Sequence, residues 1–113
     1  MSVLSAEVRQ SRLELVPLLV AAMSPAVERC GYVVALYGST LKHGVGRDFD
    51  FMLVPFPTYA IPTLPAEAVR DALATAGFLV LDFTRAPIGG RRSAGILGKL
   101  HGYAVDITVW DPS

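Results

Sequence analysis

The sequence predicts an α+β domain in which helices pack on a mixed or antiparallel sheet, with elements in the order α(α)ββαβββ. Two kinds of observation carry this. Five short runs show the apolar or alternating pattern of strands, and they are interleaved with stretches whose apolar residues recur at helical spacing. The chain has 113 residues, 52% of them hydrophobic and 18% charged. That is enough for one filled core and too little for two, so residues 1–113 are read as a single minimal domain.

Taken in order, residues Leu4 to Ala22 read as a helix with Leu4, Val8, Leu15 and Leu19 near one face and Glu7, Arg9, Gln10, Arg12 and Glu14 largely on the other. Pro17 lacks a backbone donor and is expected to kink or divide it. Ser24-Pro25 has the form of an N-cap followed by a first-turn proline, and Gly31 that of a C-terminal cap, so Pro25 to Cys30 is expected as a second, short helix. Tyr32 to Tyr37 is a near-continuous β-branched and apolar run, read as a strand buried on both faces. Phe49 to Val54 is the next strand, stopped by Pro55 and Pro57, and the four prolines of PFPTYAIPTLP make the following stretch an extended, exposed connection. Pro65 to Ala76 is a helix with Ala68, Val69, Ala72 and Leu73 inward, Glu67 near its N-terminus and Gly77 after its end. Phe78 to Thr84 reads as a strand with Phe78, Val80 and Asp82 on one side, followed by a basic loop from Arg85 to Ser93. Ile96 to Leu100 and Tyr103 to Trp110 form a hairpin turning at His101-Gly102. In its last strand Asp106 shares a face with Ala104 and Thr108, away from Val105, Ile107 and Val109.

Composition narrows the function classes. Net charge is zero and Lys and Arg form no long run, which removes the basic footprint of a dedicated nucleic-acid binder. The single cysteine, Cys30, rules out an intramolecular disulfide and a cysteine metal cluster and reads as a small buried helix-end residue. No apolar run reaches the roughly 20 residues of a membrane span. Leu15 to Met23 is interrupted by Pro17 and preceded by Glu7 and Glu14, unlike a signal peptide, so a cytoplasmic location is expected.

The chemistry concentrates between Val33 and Phe56, in VVALYGSTLKHGVGRDFDFMLVPF. Asp48 and Asp50, at i and i+2 on a strand, point to the same face about 6.5–7 Å apart. Side-by-side carboxylates in an apolar strand repel each other and resist burial, and a divalent cation between them removes that cost. Mg²⁺ takes hard oxygen ligands and shares its site with phosphates, and one further carboxylate from a neighbouring strand completes a set for one or two ions. Asp106 is the expected third member, because it interrupts an apolar strand with no basic residue close in sequence, whereas Asp82 has Arg85 nearby and reads as an exposed strand residue. Upstream, Gly38 lets the backbone approach a phosphate, Ser39 donates a hydroxyl, and Lys42 and Arg47 bring positive charge. Each motif alone has a plain alternative: an ordinary turn for Gly-Ser, a solvated strand edge for Asp-x-Asp. Their order and short gap make the combination specific.

Gly38-Ser39, eight intervening residues, Asp48-Phe49-Asp50 with the apolar Phe51-Met52-Leu53-Val54, and later Val105-Asp106-Ile107 together resemble the nucleotidyltransferase superfamily, which includes polymerase beta, kanamycin nucleotidyltransferase and the minimal prokaryotic nucleotidyltransferases. The resemblance implies that Gly38 and Ser39 hold the β- and γ-phosphates of a nucleoside triphosphate, supported by Lys42 and Arg47. It implies that Asp48 and Asp50 bind two Mg²⁺ ions, and that Asp106 binds the catalytic one and helps deprotonate an acceptor hydroxyl. The expected reaction is attack on the α-phosphorus with loss of pyrophosphate, moving a nucleoside monophosphate, AMP above all, to a hydroxyl of a protein or small molecule. Two features depart from the family pattern. The gap before Asp48 is one or two residues short, and Lys42 stands where an arginine is common. With no further domain to present the acceptor, a partner protein or a second subunit is expected to do so. The alternative is a nucleotidyltransferase-like binding module, an antitoxin or partner subunit with little turnover; a third reading is an unrelated α+β fold with strand-edge aspartates. His43, Arg91 and Arg92 read as solvated loop residues, and Tyr37, Tyr103 and Trp110 as core or interface aromatics.

Overall fold

The computed structural model describes residues 6–36, 49–88 and 91–111. Among them the elements run α1 (Ala6–Arg29), β1 (Tyr32–Leu36), β2 (Phe49–Pro55), α2 (Ala66–Thr75), β3 (Leu79–Ile88), β4 (Arg91–Leu100) and β5 (Tyr103–Trp110). The strands form one sheet in the order β1-β2-β5-β4-β3. β2 and β5 are parallel and the other neighbours antiparallel, giving the mixed sheet and α+β class that the sequence predicts.

Both helices cover one face of this sheet. Phe49, Phe51 and Leu53 of β2, Val105, Ile107 and Val109 of β5, and Ala94 and Ile96 of β4 are buried in one cluster with residues of α1 and α2. From α1 come Val16, Leu19, Met23, Ala26 and Val27, with Cys30 just past its end, and from α2 come Ala66, Val69 and Leu73. The alternation of β2 and β5 does the sorting: every second residue is buried, and the residues between stand on the second face, half-buried.

Four expectations need correction. The first concerns the N-terminal helices: α1 is one helix of 24 residues running through Pro17 and Pro25. Its buried stripe spans both prolines, while the prolines themselves lie on the exposed side, where water can satisfy the carbonyls that they leave without a donor. Ser24 is therefore no N-cap; its hydroxyl donates to the Val20 carbonyl one turn back, at 2.8 Å. Gly31 does end the helix, at φ +82°, and a Cβ there would lie 2.7 Å from the Pro62 carbonyl oxygen. The proline-rich connection is hooked across this point, with Leu64 N–H donating to Cys30 O at 2.9 Å and the buried Tyr32 hydroxyl donating to Leu64 O at 2.7 Å.

Second, among the described residues β1 is an edge strand paired with β2, and Val33, Val34 and Ala35 are half-buried rather than enclosed on both faces. Third, the basic loop expected from Arg85 to Ser93 is largely strand: β3 and β4 pair as far as Ile88 with Arg91, while Gly89 and Gly90 lie outside the described residues. The side chains of Arg91 and Arg92 lie outside the described residues. Fourth, the face expected for Asp82 is inverted. The register shifts between Val80, opposite Gly98, and Asp82, opposite Leu97, so Leu81 is an extra residue. Val80 and Phe83 consequently pack against the core, and Asp82 faces away from it. The hairpin at His101 (φ 53°) and Gly102 (φ 83°) forms as expected.

Candidate functional site

Asp50 is the second residue of β2 and Asp106 the fourth of β5. These strands are parallel, and their register sets Asp50 directly beside Asp106. Neighbouring strands lie about 4.8 Å apart, so two carboxylates from sequence positions far from each other start from backbones within reach of one small cation. The placement follows from the residues on either side. Phe49 and Phe51 are 2% and 0% exposed and Val105 and Ile107 both 0%, which pins the two strands core-side and turns the aspartates between them to the second face. The Phe49 ring also meets Tyr103 edge-on, with centroids 5.9 Å apart, tying the entry of β2 to the start of β5. Both aspartates are half-buried.

One row of the sheet reads Asp50, Asp106, Leu97, Asp82 across β2, β5, β4 and β3. Leu97 separates Asp82 from Asp106 by two strand spacings, roughly 10 Å. Asp82 is exposed and stands two strands from Asp106, whereas Asp106 is the register neighbour of Asp50. Asp82 also has no link to Arg85, which sits on the helix-covered side.

The remaining candidates, Gly38, Ser39, Lys42, Arg47 and Asp48, lie outside the described residues, as do Tyr37 and His43. Among the described residues no group of three or more His, Cys, Asp or Glu is arranged to hold a metal ion; Asp50 and Asp106 are two. Of the aromatics, Trp110 is half-buried on the second face and Tyr103 is partly exposed at the sheet end.

A second polar centre was not anticipated from the sequence. Arg85, on β3, donates from Nε and Nη2 to the two carboxylate oxygens of Glu67 at 2.5 and 2.6 Å, and from Nη2 to Asp111. Asp111, whose side chain is fully buried, also accepts from the Ala66 N–H at 2.8 Å. It thereby caps α2 from the end of β5, where Pro65 at the N-cap position offers no side-chain hydrogen bond. The Arg85 hydrogen bonds hold the Glu67 carboxyl down at about 2. Burial, with the Asp111 charge second, pushes the Tyr32 phenol well above its ordinary value. Burial likewise raises the Cys30 thiol, which makes it a poor nucleophile. Each acid of this cluster has a specific partner within the fold, which marks it as structural; the only sequence signal for it was Asp111 following the last apolar strand.

No helix among the described residues is long and apolar enough to cross a membrane. No family model matches the chain, and no curated protein matches it.

Proposed function

We propose that this chain is a nucleotidyltransferase-like domain that moves a nucleoside monophosphate, most readily AMP from ATP, to a hydroxyl group on a protein or small molecule in the cytoplasm. The observation that carries the reading is the lateral register of Asp50 with Asp106 on the second face of the sheet. Two carboxylates side by side supply the hard oxygen donors that Mg²⁺ requires, and the donor set fits the ion. Asp50, Asp106 and Asp48 are the residues that would hold it, and the bound ion would neutralise charge on the phosphate oxygens.

The chain's own part is positioning and proton transfer. Gly38 and Ser39 hold the β- and γ-phosphates, with Lys42 and Arg47 adding charge. Asp106 takes the proton of the acceptor hydroxyl as the acceptor oxygen bonds to the α-phosphorus, the bond to the bridging oxygen breaks, and pyrophosphate leaves. Phe49, Phe51, Val105 and Ile107 keep Asp50 and Asp106 in place, since a slip of one residue in either strand would turn its carboxylate into the core. The lone buried cysteine is compatible with a reducing compartment. The test is incubation with α-labelled ATP, Mg²⁺ and candidate acceptors: label transfer is expected, and Asp50→Asn should lower it at least about a hundredfold. Transfer that survives Asp50→Asn rules out the mechanism. Nucleotide binding without transfer makes the chain a binding module.

A further inference from the structure

The β3–β4 end of the second face carries a patch that matches itself. Leu79 and Leu81 are 57% and 59% exposed and Leu97 is 41% exposed, although all three belong to paired strands. The register places Leu79 beside Lys99 and Asp82 beside Leu97, so two leucines and two opposite charges occupy the corners of one small quadrilateral, leucine diagonal to leucine and Lys99 diagonal to Asp82. Leu81, the extra residue of the bulge, adds apolar surface at its β3 edge. Lys99 and Asp82 are both exposed, and neither takes part in an ion pair among the described residues.

We propose that this patch is a face for a second copy of the same chain. A two-fold interface needs a surface complementary to itself, each residue meeting its counterpart reciprocally. A two-fold axis lying in the interface along the Leu79–Leu97 diagonal satisfies that requirement. It sets leucine against leucine, and it brings Lys99 of each copy over Asp82 of the other, twice. The two sheets then cross steeply, in the manner of orthogonal sheet packing. A charged surface without the leucines would have no apolar core for the contact, and leucines without the charges would have no defined orientation. The bulge keeps the β3 edge itself from continuing the sheet into a neighbour, so association goes through the face. Because Leu97 is the register partner of Asp106, the second copy would stand beside the two carboxylates, although nothing in the inference depends on metal or nucleotide binding.

Sedimentation velocity on the full chain over a concentration series at low salt tests it. The chain should dimerise reversibly, and Lys99→Glu and Asp82→Lys should each weaken the dimer at least about tenfold by opposing like charges. The double reversal, Lys99→Glu with Asp82→Lys, should restore association to within about threefold of the original. Leu97→Ser reads the apolar half of the contact and should also shift the equilibrium to monomer, with circular dichroism confirming that each variant is folded. A monomer throughout the series overturns the proposal. So does a dimer indifferent to the single reversals, or a double reversal that remains as weak as its parents.

Discussion

The two acidic centres of this molecule lie on opposite faces of one sheet, and β5 runs between them. Asp106 points to the second face and stands beside another carboxylate, Asp50. Asp111, just past the end of the strand, is buried at the helix-covered side, where it accepts from Arg85 and from the N-terminus of α2. A buried carboxylate that serves stability is matched with a cation and an amide, because unmatched burial would cost more than folding can spare. Asp50 and Asp106 stand half-buried in lateral register, where two like charges repel and a cation between them would relieve the repulsion. The contrast is one of position: Asp111 is buried among the groups that hold α2 and β3, whereas Asp50 and Asp106 stand side by side on the face away from the helices.

Substitution should bring the two centres apart by opposite signatures. Asp111→Ala removes the cap of α2 and one partner of Arg85 together, and the expected loss is about 2–4 kcal/mol of stability, read by chemical denaturation. Asp50→Asn, expected under the proposed function to lower transfer at least about a hundredfold, should lower the denaturation midpoint less than Asp111→Ala, because Asp50 is half-buried on the second face whereas Asp111 is fully buried. The same division applies to apolar residues of the two faces. Ile107→Ala, at a site 0% exposed, should cost about 2–5 kcal/mol, whereas Leu97→Ala, 41% exposed on the opposite face, should cost less than about 0.5 kcal/mol.

The smallest expected effect is a dependence on acid. Glu67 has its carboxyl lowered to about 2 by Arg85, so the pair's contribution is present above the ordinary glutamate range and is lost as pH falls toward that value. Exposure of the pair limits the effect to under about 1 kcal/mol. Glu67→Gln should flatten this part of the pH–stability curve and leave the rest unchanged. An acid limb of the same size in Glu67→Gln would assign it to another group.

How legible each part was depends on the strand that carries it. In β2 and β5, strict alternation between buried and half-buried residues revealed both the strands and the facing of Asp50 and Asp106, since period-two patterning survives whatever the neighbours are. In β3 the same rule failed. The extra residue at Leu81 reverses the alternation halfway along, and Arg85 to Ile88 carry too little apolar pattern to read as strand. A bulge is set by the partner strand, so one strand's pattern cannot disclose it. Proline likewise misled at α1, where tertiary burial of one continuous stripe outweighed two local breaks. The Arg85, Glu67 and Asp111 cluster joins three elements with residues far apart in sequence, and no local spacing announces it.

The central claim is that Asp50 and Asp106 act as one site because the parallel register sets them side by side. Calorimetric titration of ATP in the presence of Mg²⁺, on the original chain, Asp50→Asn, Asp106→Asn and the double variant, tests it most directly. The account predicts measurable binding that either single substitution weakens strongly, with the double variant little worse than the singles, as coupled members of one site behave. Equal, additive losses from the two substitutions, or no Mg²⁺-dependent binding in the original chain, would contradict it.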